Sequence, residues 1–163
     1  MFLKKIYSFL NNPSRKLIYL FNIAQKLNDK KIKVLPKLIE RYIRINYGSY
    51  IHLNAKIHPS VKFMHINGIV IGEGVLIEEN VVIYQQVTLG GKEMGDGMKG
   101  NYPTIKKNSI IFSGAKILGD VTIGENSVIG ANSVVNKNVP KNSVFAGVPA
   151  RFIKENSNKL GGS

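Results

Sequence analysis

The sequence predicts a mainly β chain: a left-handed parallel β-helix of hexapeptide repeats with a short helical N-terminal region. Three observations carry this reading. Between Ile51 and Val135 an aliphatic residue or Phe returns every six positions, with two interruptions. Four positions after most of these stands a small or β-branched residue. Before residue 50 the apolar spacing is instead that of a helix. A fixed short period means a solenoid, in which each unit buries its apolar face only by stacking on its neighbours. Six residues make one short strand plus a turn, so three such units close one triangular coil.

Residues 1–49 form the basic helical region. They hold eleven Lys or Arg against two acids, Asp29 and Glu40, and so contribute +9 of the formal net charge of +13. Pro13 followed by Ser14 suggests a break and a cap, after which Leu17, Ile18, Leu20, Phe21, Ala24 and Leu27 follow a helical stripe. A second break falls near residues 29–33. Pro36 then fits the first turn of a last helix, with Leu38, Ile39, Tyr42 and Ile43 on one side. The basic residues read as a solvated helix face. They also suit an anionic acceptor, or a peripheral contact between residues 1–49 and an anionic membrane surface. No nucleic-acid motif is present, so nucleic acid is not expected as a partner.

The first ten residues carry Lys4 and Lys5, but the apolar stretch after them is broken by Asn11, Asn12 and Pro13. That pattern is not a secretory signal, and the apolar run over 17–24 is too short to span a bilayer. The expected location is the cytoplasm, with the inner face of the membrane as the place for any surface contact.

Residues 50–155 form the β-helix. The beat runs through Ile51, Ile57 and Phe63, slips by two residues, and resumes at Ile71, Ile77, Ile83 and Leu89. It returns at Ile105, Ile111, Ile117, Ile123, Ile129 and Val135. From Leu89 to Ile105 is sixteen residues, where eighteen would complete three clean repeats. Five glycines and no periodicity mark residues 90–104 as a loop extruded from the coil. A long irregular loop on a rigid scaffold is where function tends to reside. After Val139 the chain leaves the beat through Pro140, and the polar tail over 156–163 is expected to be disordered.

With no Cys in the chain, disulfides, thiolate metal sites and a Cys nucleophile are excluded. His52, His58 and His65 lie within fourteen positions, but the period offers no convergent ligand geometry, so no metal is expected. His52 and His58 occupy ordinary repeat positions and read as turn or surface residues. His65 falls at the two-residue slip, where the coil must bulge and can expose a side chain. Imidazole titrates near neutral pH and suits a general base.

The stretch from Ile51 to Ile57, followed by His65-Ile66-Asn67-Gly68-Ile69-Val70-Ile71-Gly72-Glu73, resembles the active-site coil of the serine acetyltransferase branch of the hexapeptide-repeat acyltransferases. The runs Gln86-Val87-Thr88-Leu89-Gly90-Gly91, Gly114-Ala115-Lys116-Ile117-Leu118-Gly119 and Gly147-Val148-Pro149-Ala150-Arg151 resemble its cofactor-side coils. The short basic N-terminal region is more similar to the related enzymes that O-acetylate surface polysaccharides.

The resemblance implies His65 as catalytic base, acetyl-CoA as donor, no metal, and a homotrimer. In that trimer His65 of one subunit faces the loop of a neighbour. It implies a cofactor groove with Gly114, Ala115, Gly130 and Ala131 as gaps for the pantetheine arm, and with Gly90 and Gly91 on the cofactor side, where their turn offers a backbone N–H to the oxyanion. Lys116, Lys137 and Arg151 would serve its phosphate end. The same glycines and alanines could instead merely satisfy coil corners.

This chain also departs from the family. Tyr50 stands where an Asp orients the base, Met64 where a second Asp helps hold the amino acid, and Asn101-Tyr102 where an Arg-His pair grips the serine carboxylate. Tyr84, Gln85, Gln86, Asn101 and Tyr102 can instead stack on a sugar and hydrogen-bond its hydroxyls. The expected function is therefore O-acetyl transfer to a cell-surface saccharide, capsular or lipopolysaccharide, with anionic acceptors included. Serine O-acetylation for cysteine biosynthesis is one alternative, and a non-catalytic β-helix scaffold is another. The imidazole of His65 could be held by a backbone carbonyl, by the Tyr50 hydroxyl or by Glu73.

Overall fold

The computed structural model describes residues 12–157. Helix α1 (Pro13–Asp29) opens it. Asn12 is its cap: the side-chain oxygen accepts the N–H of Arg15 at 3.1 Å, and Pro13 takes the first turn, where its missing N–H is harmless. The cap thus lies two residues before the expected Ser14. Leu17, Phe21 and Ala24 are buried, which anchors α1 on the β-helix core. Helix α2 (Val34–Tyr47) ends at Gly48, which closes it in the left-handed conformation with φ of 58°. Pro36 and Ile43 are its buried residues, with Ile39 between them packed on the core. Leu38 and Tyr42, expected on that same side, are exposed. The spacing explains this: 36, 39 and 43 share one stripe, while 38 and 42 begin the next.

Fourteen short strands then wind the helix and a fifteenth closes it. β1 (Tyr50–Ile51), β2 (Lys56–Ile57) and β3 (Lys62–Met64) make the first coil, and β4 (Val70–Ile71), β5 (Leu76–Ile77) and β6 (Val82–Tyr84) the second. β7 (Thr88–Gly90), the one-turn helix α3 (Asp96–Lys99), β8 (Thr104–Ile105) and β9 (Ile110–Ile111) make the third. β10 (Lys116–Leu118), β11 (Thr122–Ile123) and β12 (Val128–Ile129) make the fourth, and β13 (Val134–Val135) and β14 (Ser143–Gly147) the fifth. Sheet 1 runs β1-β4-β7-β10-β13, sheet 2 runs β2-β5-β8-β11, and sheet 3 runs β3-β6-β9-β12-β14-β15. The result is a left-handed parallel β-helix of about five turns.

Every residue of the six-residue beat is buried, and like stacks on like: Ile51 on Ile71, Ile71 on Leu89, Leu89 on Ile117, Ile117 on Val135. Each such side chain contributes roughly 1.5–3 kcal/mol relative to exposure. The residues four positions on are also inside. Where one of these is Ser its hydroxyl finds a partner: Ser109 donates to the Gly124 carbonyl at 2.9 Å, Ser127 donates to that of Pro140 at 2.7 Å, and Ser133 accepts the Gly147 N–H at 3.0 Å. Asn80, Asn108, Asn126 and Asn142 stack at the corner between sheets 2 and 3, all with positive φ, a conformation that Asn tolerates better than most residues.

The register locates both interruptions. Tyr50 pairs with Val70, Val70 with Thr88, and Thr88 with Lys116. The first coil is therefore two residues longer than the second, and the third is ten longer. The sixteen residues from Leu89 to Ile105 are thus one repeat lengthened by ten, rather than three repeats short by two. Both ends of the insertion stay in the ladder, because Leu89 pairs in sheet 1 and Ile105 in sheet 2.

Past Val139 the sequence pattern stops but the structure does not. β14 adds in parallel to β12, and β15 (Ala150–Glu155) folds back antiparallel on β14. The expected disordered tail begins too early at 156: the Asn156 amide donates to Asn126 O at 2.7 Å and its N–H to Asn142 O at 2.8 Å. The rest of that tail, from 158, lies outside the described residues, as do residues 1–11 of the basic region. Among the described residues no helix is long and apolar enough to cross a membrane.

Candidate active site

Three histidines six or seven residues apart land on three different corners of the prism. His52 lies between sheets 1 and 2, and its Nδ1 accepts the Asn54 N–H at 3.2 Å. His58 lies between sheets 2 and 3, where its Nδ1 accepts the Ser60 N–H at 3.2 Å and meets the Ser60 hydroxyl at 2.7 Å. Both brace their own turns. Among the described residues no group of His and acids could hold a metal.

His65 is different. It lies at the corner between sheets 3 and 1, on the two-residue insertion, with φ of 53°. The bulge is tied from inside: the Ser49 hydroxyl bonds the Ile66 carbonyl and accepts the Ile69 N–H at 3.2 Å. Ile66 and Ile69 are thereby drawn into the core while His65 stays outside. Its ring meets that of Tyr84, with centroids 6.4 Å apart, and Tyr84 stacks on Phe112 at 5.1 Å. None of the three groups weighed as its orienting partner is seen bonded to it among the described residues. The carboxylate of Glu73 accepts the Asn54 amide at 2.9 Å, and the Tyr50 ring lies 6.4 Å from that of His52. Burial first, then the nearby Glu40 carboxylate, pushes the Tyr50 phenol above its ordinary pKa.

A cavity of about 360 Å³ opens beside His65. Lys62, Met64 and His65 line it from β3 and its corner, and Asn12, Ser14 and Arg15 from the first turn of α1. The sequence reading had no signal for this second wall, because α1 and β3 are nearly fifty residues apart in the chain.

The expected binding residues divide between two corners. Tyr84, Gln85, Gln86, Gly114, Ala115, Gly130 and Ala131 follow His65 up the corner between sheets 3 and 1. The pairing of Met64 with Tyr84, Ile83 with Ile111 and Ile111 with Ile129 places His65, Gln85, Ser113 and Ala131 at equivalent positions of four successive coils. With strands about 4.8 Å apart this line climbs about 15 Å from His65 to Ala131. Gly90, Gly91, Asn101, Tyr102 and Lys137 lie instead at the corner between sheets 1 and 2. Within one subunit the five proposed acceptor residues therefore do not converge: sheet 1 separates Tyr84, Gln85 and Gln86 from Asn101 and Tyr102.

Several of these residues also have structural duties. Ala115 is wholly buried, with its N–H donated to Phe112 and its carbonyl accepting from Thr88, so its side chain faces the core and not a groove. Gly114 has φ of 72° and abuts the Asn132 side chain. A β-carbon on Gly130 would come within 2.8 Å of Ala146. Ala131 and Gly90 are the open positions: Ala131 is exposed, and nothing lies within 4 Å of a β-carbon on Gly90. The Lys116 ammonium donates to the Gln86 carbonyl at 2.6 Å. Lys137 and Arg151 converge on one cleft of about 230 Å³ at the far end of the helix, with Asn136, Asn138 and Phe145. The Gln85 Oε1 is buried and has no hydrogen-bond partner among the described residues, an orphan acceptor at the His65 corner.

The loop is held by Asp96, a residue the sequence reading passed over although it is the only Asp among five glycines. Its carboxylate accepts the N–H groups of Lys92 and Glu93 at 2.7 Å each and the Asn101 amide at 3.0 Å. The Asn101 bond, then the two backbone bonds, holds the carboxyl below its ordinary range. Asn101 is thus engaged inside the loop. Tyr102 is engaged too, its ring lying over Gly72 and Gly74.

A coil of this kind, with an exposed histidine on an inserted corner, an extruded loop, and a cationic cleft at one end, is the architecture of a hexapeptide-repeat transferase. Residues 102–137 match the bacterial transferase hexapeptide (six repeats) model, and residues 61–85 the hexapeptide repeat of succinyl-transferase. The chain belongs to the hexapeptide-repeat acyltransferase superfamily. Within it the likeness is to serine acetyltransferases. That of Staphylococcus xylosus is 42% identical over 139 residues, covering 85% of this chain and 63% of the relative. The crystal structure of serine acetyltransferase from Brucella abortus in complex with coenzyme A superposes with a TM-score of 0.83 at 35% identity, covering 87% of this chain and 56% of that one. The Neisseria gonorrhoeae enzyme gives 0.84 at 32% identity, covering 94% and 60%. The chain spans about three fifths of the length of these proteins.

Proposed function

We propose that the chain is an acetyl-CoA-dependent O-acetyltransferase, acting on a small hydroxylated acceptor of the serine class. The observation that carries the transfer reading is His65: a solvent-facing imidazole on an inserted corner, at the foot of a line of coil corners that leads toward the Lys137 and Arg151 cleft. The acceptor oxygen attacks the thioester carbonyl as His65 takes its proton. The C–O bond forms, the C–S bond breaks, and the proton passes to the departing thiolate of coenzyme A. A backbone N–H would stabilise the oxyanion between these events.

Serine as acceptor is supported by the relatives, which are serine acetyltransferases. The saccharide acceptor expected from the sequence has no such support. One observation still favours it as a second reading: the aromatic wall of Tyr84 and Phe112 beside His65 offers a sugar face a stacking surface. The test is thiol release from acetyl-CoA with serine against neutral and sialylated glycans. A catalytic efficiency at least about tenfold higher for serine upholds the main reading, and the reverse ratio replaces it.

The reading includes a homotrimer. Met64, Val70, Tyr50 and Phe112 are large apolar side chains exposed around the His65 corner. The loop with exposed Met94 and Met98 lies across sheet 1 from that corner, so a neighbouring copy is what could bring the two half-sites together. Light scattering that returned a monomer at micromolar concentration would remove this part. Residence in the cytoplasm belongs to the same proposal. Contact with the inner membrane face would rest on the basic helices alone.

A further inference from the structure

Resting on the acetyl-transfer reading, we infer that Arg15, at the start of α1, binds a carboxylate on the acceptor while His65 takes the proton from the acceptor hydroxyl. Five observations lead there. Arg15 and His65 line the same cavity of about 360 Å³, which has room for a small hydroxy acid. That cavity carries cations from both walls, Arg15 and Lys62, and no acid lines it among the described residues. The ion pairs among the described residues lie elsewhere, at Lys92–Glu93, Lys106–Glu78 and Lys107–Glu125. Arg15 thus has no acidic partner among the described residues, and it shares the cavity wall with the base.

The backbone that carries Arg15 is fixed in place. The Asn12 cap holds the Arg15 N–H, Pro13 presets the first turn, and buried Leu17 and Phe21 fix α1 against the core that carries β3. The remaining observation concerns the loop: Asn101 and Tyr102, expected to meet the acceptor, carry no positive charge and are engaged with Asp96 and with Gly72 and Gly74. A carboxylated acceptor therefore needs another cation within reach of His65. Arg offers a planar fork that matches a carboxylate in two parallel hydrogen bonds. On this account the acceptor specificity of the β-helix is supplied in part by the helical region in front of it.

The carboxylate can belong to a hydroxy amino acid or to an acidic sugar, and the experiment separates them. Thiol release is followed with the full chain and its Arg15→Gln and Arg15→Lys variants. The acceptors are L-serine, L-serinamide, sialic acid and its methyl ester. Arg15→Gln should raise KM for the carboxylated acceptor that is used by about ten- to hundredfold, leave KM for acetyl-CoA unchanged, and leave the uncharged analogue unaffected. Arg15→Lys should recover part of the loss. An unmoved KM overturns the inference, and so does equal loss with charged and uncharged acceptors, which would mean a structural role. Equilibrium titration of the same acids, followed by NMR, gives a readout that does not depend on turnover. Weaker binding to Arg15→Gln upholds the role of Arg15 even if no acceptor is acetylated, an outcome that would sink the transfer reading alone. Absence of any carboxylate binding to the wild-type chain overturns the inference.

Discussion

The ring of Tyr102 occupies the space that a side chain at Gly74 would need. A β-carbon built on Gly74 would overlap the ring, and one on Gly72 would come within 2.9 Å of it. The last residues of the ten-residue insertion are thereby clamped on the corner of the coil below. Gly74→Ala should dislodge Tyr102, cost about 1–3 kcal/mol, and open residues 91–103 to limited proteolysis. In a Tyr102→Ala background the same change should cost almost nothing. Additive losses in the double variant would show that the two residues do not share this contact.

His65→Ala should lower turnover by roughly a hundredfold to ten-thousandfold with coenzyme A binding intact. His52→Ala and His58→Ala should have little effect on turnover, because each ring only braces its own turn. Steady-state kinetics beside a coenzyme A titration decides this, and equal losses in all three variants would show a structural cluster instead of a base.

Asp96 makes the order of the loop pH-dependent. Its carboxyl is held below the ordinary value of 3.8, chiefly by the Asn101 amide and by the Lys92 and Glu93 N–H groups. A depressed folded pKa contributes stability that is fully present above the unfolded value and is lost as pH falls through the folded one. The protection of the Lys92 and Glu93 amides, relative to intrinsic exchange at each pH, should therefore be high at neutral pH and fall under acid below that value. Asp96→Asn should show low protection at every pH. Protection in that variant equal to wild type would mean that the charge is not what holds the loop.

Coenzyme A binding should weaken with salt, since the cations expected to meet its phosphates include the exposed Lys137 and Arg151 of one cleft. Lys137→Ala and Arg151→Ala should each weaken binding roughly three- to tenfold by calorimetry. Ala131→Trp should block the groove lower down. Ala115→Gly should instead reduce stability without changing affinity, because that side chain faces the core. Undiminished affinity in Ala131→Trp would tell against a groove along this corner.

The fold was legible because its rule is local and repeated. Ile71, Ile77 and Ile83 are buried for the same reason as Ile117, Ile123 and Ile129, and one period expresses that reason. His65 was legible because it breaks the period: two extra residues at a corner have nowhere to go but outward. The α2 face was misread, with Leu38 and Tyr42 exposed, because a helix of mixed apolar residues has more than one stripe to offer and only its neighbour selects among them. The β14–β15 hairpin was missed because antiparallel closure has no six-residue signature.

By itself the sequence determined the coil, its two interruptions and the residue that one of them exposes, since stacking identical short units makes burial a property of spacing. The tertiary structure alone decided which residues meet. It set Arg15 and His65 on the walls of one cavity, set Asn101 on Asp96, laid Tyr102 over Gly74, and put the halves of the expected acceptor site on opposite edges of sheet 1. Those contacts join segments far apart in the chain. Their partners are set by how α1 docks on the core and by where a ten-residue insertion comes to rest, and no period in the sequence records either.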